Sequence, residues 1–305
     1  MNETDFGAYV RYQAEGPIAR IILDDPQRSN AQSSEMVWGL DDALTQARRD
    51  HEIKVVILKS AAKGFCSGHI PTGDYPEFHA NLEAKGTVWE GQTELFLTPM
   101  LTLWEFPKPT IAQVHGYAIG GGSYWALLPD LTVASEDAYF QMPLVQAMGL
   151  PGGETMLEPW LFMNWKRAAE YLLTSQTLSA AEALEAGLIN RVVPRDDLES
   201  TAEELAARIA NAPGSTLVAA KTAIRRAWEL MGMRMHQQIS NDLVAVVSGH
   251  RDFQKHLAEM VKARKKPRDP SWRGMRRSRL PERSADSPSL RGRASRPSTG
   301  RRASA

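Results

Sequence analysis

Cysteine is nearly absent: Cys66 is the single one in 305 residues. One thiol supports neither a disulfide framework nor a cysteine-based zinc site, and it suits a reducing, cytoplasmic setting. Long hydrophobic runs are missing as well. Stretches such as Val55 to Leu58 are cut by charge within a few residues, far short of the roughly 20 that a membrane helix needs. The first sixteen residues lack the basic and then apolar pattern of a secretory signal. Neither G-x-G-x-x-G, a P-loop nor H-E-x-x-H occurs, so the usual signals for dinucleotides, nucleotide phosphates and catalytic zinc are gone, and no metal is expected. Net charge is also absent, with 36 basic against 36 acidic residues. That balance hides an asymmetry. Residues 271–305 carry ten Arg against Glu282 and Asp286, a net +8, which leaves about −8 on residues 1–270. The acidic part argues against nucleic acid as the main partner.

What is present reads as α/β. Tyr9 to Gln13 and Ile18 to Leu23 read as strands around the turn Glu15-Gly16-Pro17. Ser33 or Ser34 can cap a helix whose apolar positions Met36, Val37, Leu40, Ala43, Leu44 and Ala47 follow helical spacing. Ile53 to Leu58 is a β-branched run suited to a strand buried on both faces. A helical region near 87–104, a strand Thr110 to Val114, a short helix near 121–128 and strands Leu131 to Ala134 and Tyr139 to Met142 follow. Strands alternating with helices predict a parallel sheet with crossover helices. From about 153 the pattern is helical apart from Leu188 to Val193. The apolar positions Leu217, Ala220, Ala223, Ile224 and Ala227 would pack on the core or on another subunit. Residues 271–305 are rich in Arg, Ser and Pro and too poor in apolar surface to offset the entropy of ordering; a disordered tail or an arm for anionic partners is expected.

Two loops carry the chemistry. Gly64-Phe65-Cys66-Ser67-Gly68-His69-Ile70 follows the strand at 53–58. His115-Gly116-Tyr117-Ala118-Ile119-Gly120-Gly121-Gly122 follows the strand at 110–114. Glycines opening a helix let a ligand approach free N–H groups at the positive end of the dipole. One N–H from each loop could converge on a carbonyl oxygen as an oxyanion hole. Taken alone, the glycine triplet fits tight helix-on-sheet packing equally well.

The two loops, their order and several flanking segments resemble the enoyl-CoA hydratase/isomerase (crotonase) superfamily across about residues 8–266. The flanking matches are Pro26-Gln27-Arg28-Ser29-Asn30-Ala31, Pro107-Lys108-Pro109-Thr110-Ile111-Ala112, Ala181-Glu182-Ala183 with Gly187-Leu188-Ile189-Asn190, and Val261 to Lys266. The resemblance implies a spiral core of repeated ββα turns over 1–195 and a helical trimerisation region over 196–270, followed by the tail, 271–305. It implies an acyl-CoA thioester as substrate, with coenzyme A as part of that substrate and no separate cofactor, and a homotrimer or a dimer of trimers. Position by position, the N–H groups of His69 and Gly121 would form the oxyanion hole, and Arg28, Asn30, Ala31, Ser67 and Ile70 would lie near the CoA nucleotide and pantetheine.

Two positions depart from the family. Its hydratases place glutamates where this chain has Tyr124 and Leu144. A tyrosine near pKa 10 is a poor base and leucine exchanges no proton. Glu154, with Glu158 one turn later as a fallback, is the candidate replacement, though a carboxylate near a helix start is also favoured by the dipole alone. Tyr124 either donates a hydrogen bond or packs, and the His69 imidazole is either an acid–base group or a bystander beside its own N–H. The expected function is therefore an enoyl-CoA hydratase-like enzyme that stabilises a thioester enolate. The alternatives are an isomerase, an acyl-CoA C–C hydrolase, or an acyl-CoA binder that turns nothing over.

Overall fold

Alternation within single strands decides how the layers stack. In the strand spanning Val55–Ser60, Val56 and Leu58 enter one apolar cluster while Val55 and Ile57 enter another on the opposite face. A strand buried on both faces reads as an unbroken apolar run because neither side meets water. The computed structural model describes residues 2–70, 75–76, 80, 83–84 and 88–264. The expected tail at 271–305 lies outside these residues.

The chain opens with β1 (Asn2–Phe6), β2 (Val10–Glu15) and β3 (Ile18–Leu23), followed by α1 (Ser34–Arg49) and β4 (Val55–Ser60). A helical stretch then runs from α2 (Trp89–Gln92) through a π-helical turn, Thr93–Leu97, into α3 (Thr98–Trp104). Next come β5 (Thr110–Val114), β6 (Tyr117–Ile119), α4 (Gly121–Leu127), β7 (Leu131–Ser135) and β8 (Tyr139–Gln141). After a second π-helical turn, Leu144–Met148, stand α5 (Glu158–Phe162), α6 (Trp165–Thr174), β9 (Thr177–Ser179), α7 (Ala180–Glu185) and β10 (Arg191–Val193). The remainder is helical: α8 (Leu198–Ala210), α9 (Gly214–Leu230), α10 (Met233–Ser248) and α11 (Arg251–Arg264).

The larger sheet has the order β1-β2-β3-β4-β5-β7-β10. Its first three strands pair antiparallel and every later pair is parallel, as crossover helices require. A smaller sheet, β6-β8-β9, stacks the second strand of successive turns. Two single bridges extend that layer backwards, Cys66 to Ala118 and Gln32 to His69, both parallel. Each turn of the chain thus adds a strand to both layers, the repeated ββα spiral.

Three strands escaped the sequence reading. β6 is a three-residue strand inside the second glycine-bearing loop, of which Ala118 alone is buried. β1 is polar, and its pairing comes from β2, from Asn2↔Ala14 to Phe6↔Val10. β9 has three residues, of which Leu178 alone is buried. At α1 the cap is Ser33, whose hydroxyl accepts from the Met36 N–H, and the six apolar positions named above are all buried.

The helices after β10 divide. Leu198, Ala206 and Ala210 of α8 pack on Ile18, Val55, Ile57, Ile111 and Val133, so α8 covers the second face of the large sheet. Arg20 of β3 holds α8 through two bonds to Glu203, at 2.5 and 2.7 Å. In α9 only Lys221 is buried; it reaches Asp130 at 2.7 Å, while Ile224 and Leu230 are exposed. With Met235, Ile239, Leu243 and Val246 of α10 also exposed, these two helices present an apolar surface on the single chain. Among the described residues no helix is long and apolar enough to cross a membrane.

The two glycine-bearing loops touch backbone to backbone. A Cβ on Gly122 would lie 2.4 Å from the Cys66 carbonyl oxygen, and one on Gly68 would lie 2.5 Å from that of Ile119. Gly122→Ala is therefore expected to destabilise the fold by about 3 kcal/mol or more, because backbone cannot yield as a side-chain tip can. Urea denaturation measures it; a loss under about 1 kcal/mol would show that the loops are not in contact.

Candidate active site

The first wall of the site is the loop from β3 to α1. Ser29 and Asn30 both adopt the left-handed region, at φ 61° and 52°, an arrangement that must be held from outside. Asn30 does the holding. Its Oδ1 accepts from the Asp25 N–H at 2.7 Å, and its Nδ2 donates to Ser60 Oγ at 2.7 Å and to the Phe65 carbonyl at 2.9 Å. Its own carbonyl accepts from the Cys66 thiol at 3.0 Å. Asn30 is fully buried and its side chain is spent on these partners, so the loop, not that side chain, faces any ligand. Arg28 is exposed, bonded to Asp25 at 2.6 Å and lying over the Tyr9 ring at 4.4 Å. Ala31, Ser67 and Ile70 are half-buried, with the Ser67 N–H donating to the Ser29 carbonyl. The five residues expected near coenzyme A are thus brought to one edge.

The bridge pattern orients His69. Gln32 takes both bonds, its N–H donating to Gly68 and its carbonyl accepting from Ile70. In a parallel pair the residue between those two turns its own N–H to the other side. On that side Cys66 pairs with Ala118, and the His69 ring lies beside Gly121, where an added Cβ would come within 2.7 Å of Nε2. A Cβ on Gly68 would lie 3.3 Å from the Gly121 nitrogen. Gly121 is the first residue of α4, where an N–H has no partner within the helix. Gly120 precedes it at φ 55°, its N–H held by the Gln141 carbonyl at 2.8 Å.

The second wall begins at Tyr124, one turn into α4. Gly153 lies against its ring; a Cβ there would be 2.5 Å from the phenol oxygen. That hydroxyl donates to Glu158 Oε2 at 3.3 Å, and Glu154 Oε1 accepts from Gln92 Nε2 at 3.4 Å. Both carboxyl groups are buried, and burial pushes each up to about 7. Burial, with the two nearby carboxylates, also raises the Tyr124 phenol, which stays protonated as a donor. Leu144 stands half-buried in the π-helical turn after β8.

Several contributors had no signal when read one at a time. Gln92 and Phe96 lie four residues apart, so one helical stretch reaches Glu154 with the first and meets the His69 ring edge-on with the second, at 4.5 Å between centroids. Gln32 borders the loop motif and Tyr75 meets His69 Nδ1 at 3.3 Å. The lone thiol, Cys66, is buried, which pushes it up to about 12 and leaves it inert.

The raised carboxyl groups make stability depend on pH. Each bears its proton more readily when folded than when unfolded, so its contribution is complete below about pH 4.5 and is lost as pH rises through 7. Denaturation midpoints are expected to fall from pH 5 to pH 8. Glu154→Gln with Glu158→Gln should flatten that fall, recovering roughly 1–3 kcal/mol per group at pH 8. An unchanged slope would place these carboxylates in water.

Comparison with known proteins accords with this architecture. The family model described as Enoyl-CoA hydratase/isomerase matches residues 13–274. A Mycobacterium tuberculosis protein named "Putative enoyl-CoA hydratase EchA13" is 32% identical over 241 residues, covering 73% of this chain and 76% of that protein. The carnitinyl-CoA dehydratase of Salmonella enteritidis is 29% identical over 264 residues, covering 85% and 96%. The crystal structure of an enoyl-CoA hydratase/isomerase from Xanthobacter autotrophicus superposes with a TM-score of 0.72 at 29% identity, covering 86% of this chain and all of that one. With the ββα spiral and a family match over most of its length, the chain belongs to the enoyl-CoA hydratase/isomerase family of enzymes.

Proposed function

We propose that the protein binds a 2-enoyl-CoA thioester and adds water across its double bond. The observation that carries this reading is the close approach of the two glycine-bearing loops, with His69 lying against Gly121. Two N–H groups from separate loops can then share the thioester oxygen, and such donors are worth about 3–4 kcal/mol each in the transition state. Coenzyme A would run along the edge formed by Arg28, Ala31, Ser67 and Ile70.

Glu154 is the proton carrier in this reading. Its carboxylate takes a proton from water as the water oxygen bonds to C3, and the electrons of the C2–C3 bond move onto the thioester oxygen. The enolate collapses, and C2 receives that proton from Glu154. A carboxyl group poised near 7 serves both halves of the cycle. Glu158, held by the Tyr124 hydroxyl, keeps the wall in place. Double-bond isomerisation is the second reading, favoured by Tyr124 and Leu144 standing where the resemblance puts the hydratase glutamates; it needs one carboxylate to move a proton between C2 and C4. The exposed apolar surface of α9 and α10 supports a homotrimer or a dimer of trimers.

Turnover of crotonyl-CoA and a longer 2-enoyl-CoA, followed by loss of the conjugated thioester absorbance, tests the proposal. Activity should rise with pH through about 7, and Glu154→Gln should lower it about 100-fold or more without abolishing binding. Binding with no turnover of either thioester would leave a carrier protein, and gain of conjugation from a 3-enoyl-CoA alone would leave an isomerase. Light scattering during gel filtration is expected to give three or six chains, and a monomer would remove the assembly reading.

A further inference from the structure

Three buried polar atoms beside Gly121 have no hydrogen-bond partner among the described residues: Nε2 of His69 and both the oxygen and the nitrogen of the Gln32 side chain. Gln32 is fully buried. Buried amides and imidazoles are ordinarily satisfied, and one left open is costly unless something visits it. These side chains meet over one spot. A Cβ on Gly121 would lie 2.0 Å from Gln32 Oε1 and 2.7 Å from His69 Nε2, so the missing methyl of that glycine is what gives them room.

The Tyr75 hydroxyl donates to the Gln32 backbone carbonyl and meets His69 Nδ1 at 3.3 Å. That arrangement suits an Nδ1–H donor, which leaves Nε2 with a bare lone pair. Phe96, edge-on at 88°, fixes the ring plane. Burial holds the imidazole neutral, pushed down to about 3, so that lone pair stays available across the working range. Beside it the Gln32 amide offers a donor and an acceptor.

We infer that Gln32 and His69 form a site for one oxygen atom that donates a hydrogen bond to Nε2 and accepts one from the Gln32 amide, next to the Gly121 N–H. The inference rests on the thioester reading above and adds to it a polar partner for the reacting end of the acyl group. Two sources carry that chemistry: a bound water, or a hydroxyl on the acyl chain. A carboxylate is a poor fit because it has no hydrogen for Nε2, and a methyl satisfies neither group.

The test uses Gln32→Met, which keeps the volume and removes the amide, and His69→Phe, which keeps both the backbone N–H and the contact with Phe96. Binding of butyryl-, 2-hydroxybutyryl- and 3-hydroxybutyryl-CoA is measured by calorimetry in a Glu154→Gln background, so that none turns over. If the oxygen belongs to the substrate, one hydroxylated thioester binds about tenfold tighter than butyryl-CoA, and either variant erases that preference. If it is water, the three bind alike, and each variant in the otherwise unaltered enzyme lowers kcat on crotonyl-CoA about tenfold with KM unchanged. Thioesters that bind with neither effect overturn the oxygen site alone; failure of all three to bind overturns the thioester reading with it. Because the Gln32 amide has no partner among the described residues, Gln32→Met should not lower the melting temperature. A lower melting temperature with unaltered binding and turnover would make the amide structural and overturn the inference.

Discussion

Backbone contact between two loops is the constraint on which the site depends. The Cys66–Ala118 bridge sets their register, and Gly68 and Gly122 let them approach until a single methyl group would collide with a carbonyl oxygen. At these two glycines backbone meets backbone, a contact that no rotamer change can relieve. Asn30 extends the same logic one turn earlier, spending its whole amide on fastening a left-handed loop to that assembly.

Around this rigid centre the polar groups are poised, and none of them is relaxed. Among the described residues no cation pairs with the buried Glu154 and Glu158, and Gln32 and His69 keep atoms unpaired. Each would be more stable replaced by a hydrocarbon of similar shape. Their cost is offset by the apolar layers on both faces of the large sheet. Gln92 and Phe96, on one helical stretch, couple the two halves, one touching Glu154 and the other His69, so both residues share a support.

The helical remainder serves two ends. α8 closes the open face of the large sheet, and Arg20 with Glu203 pins it there. α9 and α10 turn outward much of the apolar surface they own, although Ser240 and Asn241 of α10 reach inward to the Gly153 carbonyl and to Thr93. One helix therefore both supports the acidic wall and shows an unpartnered apolar side to its surroundings.

The alternation of strands with helices, a cap at Ser33 or Ser34, the doubly buried strand at Val55 and the two glycine loops were legible in the residues, because periodicity, capping and glycine are local properties that neighbours in the chain can express; the ββα spiral came from the family resemblance. The short or polar strands β1, β6 and β9 were not legible, since their hydrogen bonds are supplied by partners that carry the pattern instead. Glu154 could be nominated from its likeness to an acidic residue that some family members place on the same wall, yet the Tyr124 bond to Glu158 and the upward push on both carboxyl groups needed the packing of α4, α5 and α2 to remove water. The His69 side chain was ambiguous for the same reason. A ring on a loop is a bystander or a participant according to what surrounds it, and only the folded chain places Tyr75, Phe96 and Gln32 around that ring. The order of the motifs pointed to the family. Desolvation, a property of the assembled volume and of no single segment, decided the protonation of Glu154, Glu158 and His69.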